Sequence, residues 1–343
     1  MKTSRFDLNQ KLLASVDKAL PVEEAIPLAE IPGWGASAHC FERREVLAVK
    51  AALASGRPLL VRGEPGTGKT QLARAVAQCL GWVLISKVIT ARTELEDLFW
   101  HFDAVDRLGE AQVLASLPDS ERGAALEHDL FLSPGPIWWA FDWSGAQIQY
   151  QRSKRKQGKP CWNNPGDPQG AVLLIDEIDK ADLDLPNGLL ESFGQNSFQV
   201  PWIANSIVDR SNRPLLTVIT TNEERELPRA FLRRCLVLQL EYPAQPAEDS
   251  RTREHKPFVD WFRQRGRVHF SAEDCTDDVL NKAAAMIRTD RFGTQYGSIR
   301  PGLAEYLDIL SVVTALHPGD SNAQFEALDE VSEFARRKQG RVF

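Results

Sequence analysis

The stretch Gly63-Glu64-Pro65-Gly66-Thr67-Gly68-Lys69-Thr70 constrains this chain more than any other part of it. Glycines at 63, 66 and 68 let the backbone turn sharply enough to aim consecutive N–H groups inward, which builds a nest for an anion. The flanks supply the context such a loop requires. Pro58–Arg62 is a short apolar run that reads as a strand, and Leu72, Val76, Cys79 and Leu80 recur at helical spacing. A loop that opens a helix also turns the positive end of the helix dipole toward the anion. Lys69 then reaches the outer phosphates of a nucleoside triphosphate as a point charge, and the Thr70 hydroxyl holds Mg²⁺.

Far downstream, the apolar run Leu173-Leu174-Ile175 ends in Asp176 and Glu177. Carboxylates that end a strand of an open α/β sheet sit at its carboxyl edge, where ligands bind. Asp176 is expected to hold Mg²⁺ through the ion's water shell, and Glu177 to orient and activate the attacking water. A site that only bound metal and phosphate has no need of the second carboxylate, so the doublet points to hydrolysis rather than transfer to another acceptor.

Further apolar runs at Trp82–Ile85, Leu215–Thr221 and Leu236–Leu240 alternate with helical stretches. That pattern predicts an α/β fold: a parallel sheet with helices on both faces. From about residue 245 only helical spacing remains. Val279, Leu280, Ala283 and Ile287 form one apolar face, Leu303, Leu307, Leu310 and Val313 a second, and Phe325, Leu328 and Val331 a third. The expected organisation is an N-terminal segment over 1–40 with a helix near Leu8–Leu20, a nucleotide-binding core over 41–244, and a smaller all-helical domain over 245–343. Residues 104–130 and 144–170 read as polar excursions from the core.

Composition removes several alternatives. The net charge of -6 argues against a whole-chain attraction to nucleic acid or membrane surfaces. Five scattered cysteines without metal-knuckle spacing fit a reducing cytosol, so a cytoplasmic location is expected. No signal-peptide core and no membrane-length apolar run is found.

Beyond the two phosphate-site motifs, Asp176-Glu-Ile-Asp-Lys-Ala181, Leu189-Leu-Glu-Ser-Phe193, Ile219-Thr-Thr-Asn222 and Leu227-Pro-Arg-Ala-Phe-Leu-Arg-Arg-Cys235 follow in order. This succession resembles an AAA+ ATPase, and within that superfamily the MoxR branch, in particular MoxR-like ATPases found beside von Willebrand A-type proteins in bacterial conflict loci. Ser133-Pro-Gly-Pro-Ile137 resembles an element that this branch places before its second acidic motif. The resemblance covers residues 40–310. It implies a P-loop NTPase core followed by a helical lid, with ATP and Mg²⁺ as cofactors. With it, the absence of an Asn-Lys-x-Asp guanine-reading sequence favours ATP.

The resemblance also implies roles for single residues. Asn222 matches sensor 1, which helps to place the hydrolytic water. Arg234 matches an arginine finger that reaches the γ-phosphate of a neighbouring subunit. Arg233 stands beside it, and which of the two inserts stays open. Arg300, in Gly297-Ser-Ile-Arg-Pro301, matches sensor 2 at the start of a lid helix, with Pro301 in the first turn. A finger that completes its neighbour's site implies a homo-oligomeric ring, a hexamer by the resemblance, that remodels a partner protein.

Other features are less specific. Ile31-Pro-Gly-Trp34 lies near where the superfamily contacts adenine, although a tryptophan in a Pro/Gly turn is more often packing. Arg152, Lys154, Arg155, Lys156 and Lys159 form a basic run, and Trp138, Trp139 and Trp143 lie close by. Gripping a nucleic acid is one reading, but a solvated loop and a buried helix face are favoured. Phe198–Trp202 reads as a hairpin arm, with Val200 and Trp202 either packed or facing a partner. Two functions compete with a ring that remodels protein: a motor stimulated by nucleic acid, and a slow ATP-dependent regulatory switch.

Overall fold

The computed structural model describes residues 5–116, 123–202, 207–243, 258–293 and 300–336. Its strands are β1 (Ala25–Leu28), β2 (Ser37–Cys40), β3 (Leu59–Arg62), β4 (Val83–Val88), β5 (Trp100–Phe102), β6 (Leu132–Pro134), β7 (Ala171–Asp176), β8 (Ser197–Gln199), β9 (Ile207–Asp209), β10 (Leu215–Thr221) and β11 (Leu236–Gln239). Five of them make one sheet in the order β11-β3-β10-β7-β4. The chain leaves β3 for the β4 edge, returns through β7 and β10, and crosses to β11 on the other side of β3. The pairings β10–β3, β10–β7 and β4–β7 are parallel, so carboxyl ends gather along one edge. The result is an α/β architecture, a parallel sheet with helices, followed by a helical region.

The chain divides into two compact units. The first holds residues 1–22, 42–62 and 72–238. Every residue of β10 is buried, as are the first five of β7, because both strands have neighbours on each side and are covered on both faces. Trp138, Trp139 and Trp143 sit in that core with Phe99, Phe141 and Phe198, so the tryptophans are packing residues. Helix Arg5–Ala19 buries Val16 and packs on helix Arg43–Ser55, where Lys50 Nζ meets Asp17 at 2.5 Å.

The polar excursions join each other. The helix Ala104–Val113 buries none of its residues. Arg155 pairs with Asp103 and Asp106, both at 2.7 Å; Arg152 pairs with Asp129 at 2.6 Å and Glu127 at 3.0 Å; Lys154 pairs with Glu110. Each such pair is worth at most about 1 kcal/mol on a surface. Their larger consequence is that three cations of the basic run are neutralised inside the unit, which matches the solvated-loop reading. In the β8–β9 arm, Val200 is buried while Trp202 remains 48% exposed, stacked on Phe102 at 4.6 Å.

The second unit holds residues 23–41, 63–71 and 239–343. The β1–β2 hairpin packs on helix Phe258–His269, and Ile31 and Trp34 close a tight turn through reciprocal backbone hydrogen bonds of 3.0 and 2.8 Å. The helical core is built from Phe258, Phe262, Val279, Leu280, Ala283, Ile287, Leu310, Val313 and Leu328. Two apolar faces differ from the sequence expectation. Helix Leu303–Leu316 turns Tyr306 and Ile309 fully inward and leaves Leu303 and Leu307 part-buried, because the Tyr306 ring fills the space beside Phe262. Phe325 is 41% exposed, and its ring carries the Lys282 ammonium at 4.2 Å. No helix among the described residues is long and apolar enough to cross a membrane.

Burial also sorts the cysteines, none of which is in a disulfide among the described residues. Loss of solvent pushes the Cys235 thiol up to about 12, with Arg57 opposing it only in part, and the Cys275 thiol up to about 11. Cys161 is exposed. Maleimide applied to the folded chain at neutral pH is expected to modify Cys161 and spare Cys235 and Cys275 until denaturant is added, as read by peptide mass spectrometry. Labelling of Cys235 at the rate of Cys161 would contradict this packing.

Candidate active site

In the second unit, Gly63-to-Lys69 closes on itself. Lys69 is buried, and its Nζ donates to the carbonyls of Gly63 at 2.7 Å and Glu64 at 2.9 Å. Thr67 Oγ1 donates to the Glu64 carbonyl at 2.9 Å. Gly63 has φ +151° and Gly66 has φ +79°, values that side chains disfavour. A Cβ on Gly63 would lie 2.5 Å from the Leu240 carbonyl oxygen, and one on Gly66 would lie 3.0 Å from Ala304 Cβ. A cradle that only glycine can line, with an ammonium folded into it and a helix beginning at Lys69, fits a polyphosphate. Glu64 and Pro65 are gripped from within the unit: Arg291 Nη2 reaches Glu64 at 2.7 Å, and Tyr242 OH donates to the Pro65 carbonyl at 3.5 Å. Neither Arg291 nor Tyr242 carried a sequence signal, since both lie far from the loop in the chain.

In the first unit, the parallel register sets Arg62, the residue before Gly63, level with Thr221, and Ile175 level with Ile219. Asp176 is the last residue of β7, and Glu177 follows at φ 61°, ψ 48°. A left-handed conformation costs a non-glycine residue about 1–2 kcal/mol, so neighbouring contacts must hold it. The Glu177 N–H donates to Thr220 Oγ1 at 2.9 Å, and the same hydroxyl donates to Asp176 Oδ1. Asn222 Nδ2 donates to Glu177 Oε1 at 3.4 Å, and Lys180 Nζ to Glu177 Oε2 at 2.6 Å. The hydrogen bond to Glu177 raises Lys180 above its ordinary value. Buried Asp179 takes the backbone N–H groups of Asn222 at 3.2 Å and Glu224 at 3.0 Å. Of the residues singled out from sequence, Asp176, Glu177 and Asn222 thus belong to one hydrogen-bonded group. Thr220 and Asp179 were missed, although Thr-Thr-Asn at the end of a strand and the second Asp of Asp-Glu-Ile-Asp were their signals.

Arg233 and Arg234 end the helix Arg229–Arg234, both exposed and neither in an ion pair among the described residues. Arg57 caps that end by donating to the carbonyls of Arg233, Arg234 (3.1 Å) and Cys235 (3.2 Å), which satisfies acceptors that the helix leaves open. Arg300 is exposed, and residues 297–299 of its motif lie outside the described ones. The following helix starts later than expected. Gly302 is its N-cap and Pro301 precedes the cap, because Glu305 Oε2 accepts the Gly302 N–H at 2.9 Å and so sets the boundary there.

A family model described as AAA domain (dynein-related subfamily) matches residues 58–235. No curated protein matches the sequence. Among solved structures, the Thermotoga maritima RuvB Holliday junction branch migration motor is similar at 16% identity and TM-score 0.45, over 85% of this chain and 67% of that one. A Cytophaga hutchinsonii protein assigned as an ATPase is similar at 13% identity and TM-score 0.37, over 95% of this chain and 84% of that one.

Proposed function

Because the chain belongs to the AAA domain family, in its dynein-related subfamily, we propose that this ATP hydrolase works as a ring whose subunits share their sites and remodel a partner protein. The observation that carries the reading is Glu177, held in a left-handed conformation with the Asn222 amide on its Oε1. A carboxylate braced in this way is suited to take a proton from water, and an amide beside it is suited to hold that water in line.

Each residue then has one task. The backbone N–H groups of Gly63–Thr70 and the Lys69 ammonium bind the phosphates. For Lys69 this means exchanging the Gly63 and Glu64 carbonyls for phosphate oxygens. Thr70 and Asp176 offer the hard oxygen donors that Mg²⁺ takes. When bound, that ion offsets phosphate charge. Glu177 accepts the proton of the attacking water, and Asn222 orients it. Arg234, or Arg233 beside it, serves the neighbouring subunit's γ-phosphate. Arg300 reports on nucleotide from the lid.

The finer assignment to the MoxR-like branch, with a von Willebrand A-type protein as partner and a hexamer as assembly, rests on the succession of motifs from Asp176 to Cys235. The internal ion pairs of Arg152, Lys154 and Arg155 favour a protein partner over a nucleic acid. The reading is tested by nucleotide binding and turnover. Lys69→Ala is expected to abolish ATP binding, measured by calorimetry with Mg²⁺, while wild-type specific activity rises with chain concentration as rings form. ATP affinity unchanged by Lys69→Ala would remove the phosphate loop from the mechanism. Activity independent of concentration, at the size of a monomer, would remove the ring.

A further inference from the structure

Glu64 is an anomaly in a loop that binds anions. It is a carboxylate, 49% exposed, inside the motif that must receive a triphosphate, and its negative charge opposes that ligand. The structure pairs it at 2.7 Å with Arg291, whose side chain is only 7% exposed. Arg291 lies in the last turn of helix Asp277–Gly293, where the dipole favours a cation. Its guanidinium lies over the Tyr242 ring, 4.4 Å from the centroid, and Nη1 donates to the Pro301 carbonyl at 3.2 Å. Tyr242 joins the same pieces from its other end. Its hydroxyl accepts the Leu303 N–H at 3.0 Å and donates to the Pro65 carbonyl at 3.5 Å. A Cβ on Gly302 would come within 2.3 Å of that hydroxyl, so the approach depends on glycine. Glu64 is therefore tied through buried Arg291 to Pro301, just before helix Leu303–Leu316, and Pro65 is tied through Tyr242 to Leu303, the first residue of that helix.

We propose that Arg291 is a positioning residue: through Glu64 it holds the phosphate loop in register with the start of helix Leu303–Leu316, and so sets affinity for the nucleoside triphosphate. The proposal rests on the ATPase reading above. A buried guanidinium stays charged, so the fork needs a fixed anionic partner. Glu64 meets that need and is thereby held at one place. The pair acts on the shape of the loop rather than on its charge.

Shape and charge predict opposite signs, which makes the proposal testable. If Glu64 contributed only charge, Glu64→Gln would remove a repulsion and tighten ATP, while Arg291→Gln would weaken it. If the pair positions the loop, both substitutions raise KM for ATP about tenfold with kcat nearly unchanged, and the double variant is no worse than either single one. Arg291→Lys, which keeps the charge but loses the fork, is expected to recover part of the affinity. Steady-state kinetics on the full-length chain, with thermal melting in the absence of ATP, reads all four. Should Arg291→Gln fail to fold, Glu64→Gln still decides, since its carboxylate is half exposed and its loss leaves no cavity. Tighter ATP binding by Glu64→Gln, additive effects in the double variant, or a lowered melting temperature with KM unchanged would each overturn the proposal. A wild-type chain that binds no ATP would overturn both this and the function it rests on. A wild-type chain that turns ATP over, with all variants alike, would overturn this inference alone.

Discussion

Glu177→Gln is expected to bind ATP as the wild-type chain does and to lose turnover by roughly 10²–10⁴-fold, the range for removing a positioned general base. The substitution is nearly isosteric. A glutamine amide oxygen can still accept from Asn222 Nδ2, which now lies 3.4 Å from Glu177 Oε1, and the Thr220 hydroxyl still accepts the N–H of residue 177 at 2.9 Å. The left-handed turn is therefore retained and only proton-accepting power is lost. The Lys180 pair, at 2.6 Å, is lost as well, but both partners are substantially exposed, so its contribution to stability is small. Phosphate release under saturating ATP, together with equilibrium binding, separates the two effects. Turnover retained in this variant would assign the base to another residue, and weakened binding would show that Glu177 holds ground-state nucleotide instead.

Arg234→Ala is expected to reduce turnover by roughly 10³–10⁵-fold, the range found for fingers that stabilise transferring phosphoryl groups. Arg233→Ala in parallel decides which of the two is the finger. Both arginines stand exposed at the end of their helix, and neither is in an ion pair among the described residues. Arg57 holds the carbonyls behind them and leaves the side chains to the outside. Complementation distinguishes action between chains from action within one. An Arg234→Ala subunit keeps its own phosphate loop, and a Lys69→Ala subunit keeps its arginines. Where the first supplies the loop and the second the finger, a complete site forms, so mixtures should regain part of the activity that neither has alone. Mixtures as inactive as their components at every ratio would place the arginine within its own subunit or outside the chemistry.

Much of this arrangement is legible in the sequence. A phosphate loop must have glycines where φ is unfavourable to other residues, so Gly63 and Gly66 announce it. Buried parallel strands must be apolar throughout, so β7 and β10 stand out as runs, and carboxylates can only follow where such a strand ends. What escaped the reading were partners whose local signals do not say what they touch. Thr220 is one of three threonines in a buried strand; its role appears only when the register of β10 on β7 brings it to Asp176. Asp179 looks like one more acid in a polar turn until it receives two backbone N–H groups from the segment after β10. The helical faces failed in part for a related reason. Periodicity marks which residues share a side of a helix, but it does not say how deeply each is buried: Tyr306 fills an aromatic pocket beside Phe262, whereas Phe325 stays 41% exposed under the Lys282 ammonium.

By itself, the order of residues determined the chemistry of this protein: short-range rules of backbone geometry and hydrophobic spacing act within a few residues, so a loop for phosphates, a strand ending in two acids and a run of amphipathic helices can be recognised wherever they occur. Only the folded chain decided which side chains hold those parts in place. The pairing of Arg291 with Glu64 spans 227 positions, and the bracing of Glu177 by Asn222 spans 45. Contacts at such separations depend on how strands and helices stack, which no local pattern encodes.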